Sequence, residues 1–337
     1  MDYNHPSRFR PLWSLLFLTD RFTTMILLFF LLLQMATPAT TAHAADIARS
    51  VFAYQVKTQN CRFEKDPWIS LREFKSKDQW YLWGVNERTL QTALLPKSRL
   101  QECKPLSLAR ESFVYKKPAG LSRYLMALRQ FNQTDGHWQN QGLINDSAKR
   151  DGSYLTVDLC PSSHQFDKAL FELIREKKWP TAIAVSGLWI LRHETDWQWL
   201  VKNLADAPIT WVNHSRNHPV YPDVPLEKNY LLSEGRDIKR EILSNEILMI
   251  QRGLTPSIFF RFPGLIADDR ALGITQELGL IPLGSNAWLS KGETPRRGSI
   301  LLLHGNGNDP KGMTIFLNSW DQKKISLPLR PLLDLFL

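Results

Sequence analysis

The chain has 337 residues, 43% of them hydrophobic and 22% charged, the composition of a globular protein with a sizeable core available. Its formal charge of +9 suggests attraction to acidic surfaces such as anionic glycans, nucleic acid or lipid headgroups. The basic residues are scattered, with no zinc-finger spacing and no RNP-type aromatic motif, so nucleic acid is not expected as a partner.

In chain order, Arg8, Arg10 and Arg21 precede an apolar run over residues 25–33, and Ala42 and Ala44 flank His43. A basic flank, a short apolar core and a small-x-small site read as a secretory signal peptide over residues 1–44, cleaved after Ala44. The core is well short of the ~20 residues of a comfortable bilayer span, so no stable membrane span is expected after cleavage. The mature chain is expected to be exported, to the periplasm or as a secreted protein. Cys61 and Cys103 could pair in such an oxidising space. Cys160 is left over, as a buried small hydrophobe, a free thiol or a soft metal ligand.

Residues 45–150 read as a smaller mixed α/β region of unknown role. Strands are expected over residues 80–83 and 90–95 and a helix over residues 121–130. Polar residues and glycines over 132–152 suggest a linker or long surface loop. From residue 154 the pattern turns regular, and residues 151–337 read as one unit. Short β-rich runs (154–158, 181–185, 209–212, 257–260, 281–283, 300–303) alternate with helical stretches near 166–174, 195–201, 234–252, 270–278 and 314–323. That alternation predicts a parallel α/β sheet or barrel. Gly253 and Gly279 stand where two of those helices should stop.

In such folds the loops leaving the strand carboxyl ends carry the chemistry. Asp158, His214, Arg261 and His304 each stand at or just beyond such an end. His214 and His218 are four residues apart, and a helical turn after the strand would aim both imidazoles at one divalent ion.

Taken in order, these residues resemble the NodB-homology polysaccharide deacetylases, carbohydrate esterase family 4. Residues 156–161 (TVDLCP) resemble the family's Thr-Phe-Asp-Asp-Gly-Pro motif. Residues 214–219 (HSRNHP) match His-Ser/Thr-x-x-His-Pro, residues 261–263 match Arg-x-Pro, and residues 302–304 match Leu-x-His. The resemblance implies a distorted (β/α) barrel with a mononuclear metal site, usually zinc, and removal of N- or O-linked acetyl groups from a glycan. It further implies His214 and His218 as metal ligands, Asp158 as general base held by Arg261, and His304 as general acid. Trp288 and Leu302 would wall the acetyl methyl group. Zinc would lower the pKa of water toward ~7 and polarise the carbonyl, while histidine titrates close to working pH.

Two positions depart from the family pattern. Its metal-binding second aspartate is Leu159, and the aspartate before the fourth motif's tryptophan is Ala287. Leucine cannot coordinate a cation. Asp158, Cys160, His164 and Asp167 are substitutes between which the sequence does not choose; a large rise in zinc affinity on restoring an aspartate at 159 would support reading it as a vacated ligand position. Asn286 could partly replace the polar group missing beside Trp288. The departure at Leu159 leaves two other readings open: a catalytically impaired relative that binds glycan without cleaving it, and a small-amide hydrolase of the same fold.

Overall fold

The computed structural model describes residues 50–109, 112, 121–131 and 134–336. The expected signal peptide lies outside the described residues. Two sheets organise the rest.

The first is antiparallel, with the strand order β4-β3-β2-β1-β5. Its strands are β1 (Phe52–Phe63), β2 (Asp66–Ser76), β3 (Gln79–Asn86), β4 (Thr92–Pro96) and β5 (Leu100–Pro105). The expected strands over 80–83 and 90–95 are β3 and β4, whereas β1, β2 and β5 have no counterpart in the sequence reading. A disulfide between Cys61 and Cys103 ties β1 to β5. Helix α1 (Arg123–Gln130) begins where Ser122 accepts a hydrogen bond from the Leu125 backbone N–H, an N-cap that satisfies one free donor.

The second sheet is parallel throughout, with the order β10-β9-β8-β7-β6-β12-β11. It is the curled, open form of the distorted barrel expected from the resemblance. Its strands are β6 (Tyr154–Leu159), β7 (Thr181–Val185), β8 (Ile209–Asn213), β9 (Phe259–Phe260), β10 (Ile281–Pro282), β11 (Ala287–Trp288) and β12 (Ile300–His304). Helices α2 (Lys168–Lys177), α3 (Gly187–Arg192), α4 (Glu194–Asn203), α5 (Ile238–Gln251), α6 (Asp269–Glu277) and α7 (Pro310–Asp321) connect or follow them. The last begins earlier than the apolar periodicity suggests, because Asp309 caps it through the Gly312 N–H and Pro310 takes the first turn.

Side-chain alternation along β6 sorts its residues between two environments. Leu155, Val157 and Leu159 are buried in one apolar cluster with Phe171, Ile174, Ile183, Val185 and Phe316. Tyr154 belongs to a second cluster, which also holds Ile69, Leu71, Phe74 and Trp83 of the antiparallel sheet together with Phe259, Phe260 and Leu280. The two sheets thus share a core. Across it, Arg72 donates to both Glu246 carboxylate oxygens at 2.8 Å, each side chain fully buried. Tyr54 donates its hydroxyl to the same carboxylate at 2.9 Å, and Trp83 donates its indole N–H to the Pro256 carbonyl at 3.0 Å.

Residues 134–152 form more than a linker. They make bridges from Gln139 to Ile266, Leu143 to Leu283 and Asn145 to Ser299. Asp146 is buried there, receiving the Arg150 guanidinium at 2.8 Å and the Tyr154 hydroxyl at 3.2 Å.

Candidate active site

Strand register brings the first two site residues together. β12 pairs with β6 so that His304 lies opposite Asp158, and β11 pairs with β12 so that Trp288 lies opposite Leu302. Both pairings fall at strand carboxyl ends. Around them opens a cavity of about 350 Å³. Asp158, Cys160, His214, His218, Tyr230, Trp288, Leu302, His304 and Asp309 all line it.

His214 follows β8, and its backbone N–H donates to the Val185 carbonyl at 3.2 Å. Its Nδ1 is 2.8 Å from the Arg261 carbonyl oxygen. A carbonyl can only accept, so Nδ1 carries the proton and Nε2 is left with a lone pair. That Nε2 points at Cys160 Sγ, 3.4 Å away, and at Asp158 Oδ2, 3.6 Å away. Burial lowers the His214 pKa, and it outweighs the opposing pull of Asp158, so the ring is neutral and available as a donor of electrons.

The turn carrying His218 is not the helix expected from the four-residue spacing. Ser215 and His218 both adopt left-handed backbone, with φ of 65° and 46°. Side chains hold this irregular loop. Asn213 accepts from the Ser215 N–H at 3.0 Å and from Asn245 of α5 at 2.8 Å. Glu241 of α5 accepts from the Asn217 backbone and side-chain N–H groups, both at 2.8 Å. The two imidazoles still meet, with ring centroids 4.6 Å apart and planes inclined by 74°. Opposite them Tyr230 packs on Gly264, whose φ of 63° and lack of a side chain are both needed: a Cβ there would collide with the Tyr230 ring.

Arg261 is fully buried just beyond β9. It donates to the Thr156 hydroxyl at 3.0 Å and stands 3.6 Å from Asp158 Oδ1. Burial holds its pKa below the usual arginine value despite that carboxylate. His304 has its Nδ1 3.7 Å from Asp309 Oδ2 and its ring 5.5 Å from that of Trp288. Burial opposes protonation of His304, yet Asp309 and the Cys160 sulfur outweigh it and lift the pKa to about 10.

Several buried polar atoms here have no hydrogen-bond partner among the described residues: Asp158 Oδ1, Asp309 Oδ2, Trp288 Nε1, and Arg261 Nε and Nη1. Each such group costs about 1–3 kcal/mol of desolvation. Three of them line the cavity and the two on Arg261 lie behind Asp158, an arrangement that fits a place kept for a cation and a polar ligand.

The donor set suits a divalent metal. Cys160, His214 and His218 offer ligand atoms that all lie within 4.8 Å of one another. Of the alternatives for the position vacated at Leu159, His164 hydrogen-bonds Asn308 at 2.9 Å and Asp167 accepts from the Gly307 N–H at 3.0 Å; neither lines the cavity. Asn286 accepts from the Ile300 N–H at 3.1 Å and does not line it either. Leu159 itself is fully buried in the apolar cluster. An aspartate put there would enter apolar surroundings.

Residues 145–282 match the model of the family described as polysaccharide deacetylase. Over those residues the chain is similar to a polysaccharide deacetylase domain. The matched stretch includes Asp158, His214, His218 and Arg261 and stops before Trp288 and His304. Among solved structures, the chain is similar to a family 4 carbohydrate esterase from Bacillus anthracis at 22% identity, covering 65% of this chain and 94% of that one with a TM-score of 0.45. Similarity to PdaA of Bacillus subtilis, a family 4 carbohydrate esterase, is at 15% identity over 62% and 87% of the two chains, with a TM-score of 0.45. A CE4 family pseudoenzyme from Bacillus anthracis is similar at 12% identity over 56% and 66%, with a TM-score of 0.41.

Sequence reasoning missed Asp309 and Tyr230 as site residues. Asp309 had a signal, standing five residues after His304 and immediately before a proline that opens a helix. Tyr230 had none.

Proposed function

We propose that the chain is an exported, metal-dependent hydrolase that removes acetyl groups, N- or O-linked, from a glycan. In the N-linked case it acts on carbon–nitrogen bonds other than peptide bonds. The observation that carries this reading is the convergence of Asp158, His214, His218 and His304 on one cavity, with Arg261 behind Asp158.

His214 and His218 would hold a divalent ion, zinc by the nitrogen and sulfur chemistry of the site, and when bound it would supply a Lewis acid and make water more acidic. Asp158 takes the proton of the attacking water. Arg261 keeps that carboxylate charged and fixes its direction. His304, backed by Asp309, hands a proton to the leaving nitrogen or oxygen. Trp288 and Leu302 would flank the acetyl methyl group. The domain boundaries expected from the sequence, 1–44, 45–150 and 151–337, belong to this proposal. So does export, which the Cys61–Cys103 disulfide supports because such bridges persist in oxidising compartments. Among the described residues no helix is long and apolar enough to cross a membrane.

A polymer suits the cleft better than a small amide. A second hollow of about 190 Å³ shares Tyr230, Gly264, Leu265 and Trp288 with the first and continues to Gln139 and Asn140. One reading of another kind, a glycan binder without turnover, is favoured by the apolar side chain at Leu159. The test is acetate release from N-acetylglucosamine oligomers and from O-acetylated xylan, by zinc-loaded protein with and without a chelator. Release that the chelator stops supports the hydrolase. Oligomer binding without release, at one zinc per chain, supports the binder.

A further inference from the structure

We propose that Cys160 is the third protein ligand, making a Cys-His-His metal centre in which a thiolate does the work of the carboxylate missing at Leu159. This rests on the metal-dependent reading above and specifies the chemistry of the same site.

The argument begins with parity. Along β6, Leu155, Val157 and Leu159 pack together on one face, while Thr156 and Asp158 turn toward Arg261. Two residues beyond Asp158, position 160 inherits the cavity side. Position 159 does not. The site's third ligand has therefore moved one residue along the chain, from a side chain now committed to the core to one that lines the cavity.

Distance agrees. Tetrahedral zinc with bonds of about 2.3 Å to sulfur and 2.0–2.1 Å to nitrogen sets its ligand atoms about 3.6 Å apart. Cys160 Sγ is 3.4 Å from His214 Nε2, the nitrogen whose lone pair the Arg261 carbonyl leaves free. Main-chain contacts fix the thiol's position. Asn306 donates to the Cys160 carbonyl at 2.8 Å, and the Ser186 hydroxyl donates to the preceding carbonyl of Leu159 at 3.0 Å. Asp158, with one oxygen toward Arg261, is left for proton transfer. A sulfur ligand shifts preference toward zinc and cobalt and away from magnesium and manganese.

Cys160 is the only cysteine outside a disulfide, so thiol signals report on it alone. The experiment loads the metal-free full chain with cobalt(II) and records the near-ultraviolet spectrum. It also measures iodoacetamide alkylation of the thiol with and without zinc, and zinc affinity in Cys160→Ser and Cys160→Asp. Expected are one cobalt per chain, a sulfur-to-cobalt charge-transfer band, and alkylation slowed more than about tenfold by zinc. Cys160→Ser should lose the band and weaken zinc more than about tenfold, with Cys160→Asp recovering affinity without the band. The wild-type spectrum stands even if a variant fails to fold. One bound cobalt with no sulfur band and unchanged alkylation would overturn this proposal and leave the deacetylase reading intact. A sulfur band without acetate release from any acetylated glycan would support the thiolate ligand and sink that reading. No bound metal would overturn both.

Discussion

Two buried polar clusters in this molecule treat their hydrogen bonds in opposite ways. Where the antiparallel sheet meets α5, Arg72 uses Nε and Nη2 on Glu246 and Nη1 on the carbonyls of Leu71 and Leu278, while its guanidinium lies 5.0 Å above the Trp83 ring. Behind the cavity, Arg261 makes a hydrogen bond only through Nη2, to Thr156, while Nε has none and Nη1 stands 3.6 Å from Asp158 Oδ1 in an ion pair without a hydrogen bond. Both arginines are fully buried. The first cluster is closed on itself and ties the antiparallel sheet to α5; the second keeps bonding capacity in reserve. That difference separates a structural ion pair from the proposed reaction site without reference to any motif.

Mutations should split along the same line. Large effects are expected at His218 and Asp158. At His218, asparagine tolerates the left-handed backbone while removing the imidazole. His218→Asn should lower acetate release more than about 100-fold yet move the urea unfolding free energy by less than about 1 kcal/mol. A large stability loss would make His218 a structural residue and blur the contrast. Asp158→Asn should cut turnover by about 10²–10⁴-fold with the metal still bound. Loss of the metal would make Asp158 a ligand instead of a base.

At the other cluster the signs reverse. Arg72→Ala strands a buried carboxylate and should cost about 3–5 kcal/mol of stability in denaturant unfolding, while the protein that remains folded turns over normally. Arg72→Met with Glu246→Leu should recover most of that loss. Breaking the Cys61–Cys103 bridge with two serines should cost about 2–4 kcal/mol, again without changing turnover by folded protein.

The smallest effect is with pH. Burial raises the Glu73 and Asp146 carboxyls, but Lys97 and Lys57 on the first, and Arg150 and the Ala148 N–H on the second, outweigh it and hold both below their usual values. Each therefore stabilises the fold above the unfolded carboxyl pKa of about 4, and that contribution is lost as pH falls through the folded value. Glu73→Gln should flatten the acid limb of a stability-versus-pH curve. An unchanged limb would remove Glu73 from the account.

The parallel sheet was legible because its strands are short buried runs between helical stretches, and Asp158 and His304 stand at or next to the carboxyl ends of two of them. The site's geometry was less so. The pairing of His214 with His218 could be read from spacing, but the local turn could not. Its shape comes from Asn245 and Glu241, contributed by α5 from more than twenty residues away. Alternation in β6 already distinguished Cys160 from Leu159, and that signal went unused. The antiparallel sheet was opaque for a different reason. Arg72 and Glu73 look like surface residues, and only the carboxylate of Glu246, 174 residues on, makes Arg72 an interior one.

Zinc-dependent stabilisation tests the central claim, that the cavity's polar groups are held ready for a metal. Thermal unfolding of the metal-free full chain should shift upward with added zinc by an amount that grows as the logarithm of its concentration. The same titration on His214→Ala with His218→Asn should give no shift. Equal shifts in the two proteins, or none in either, would contradict the account.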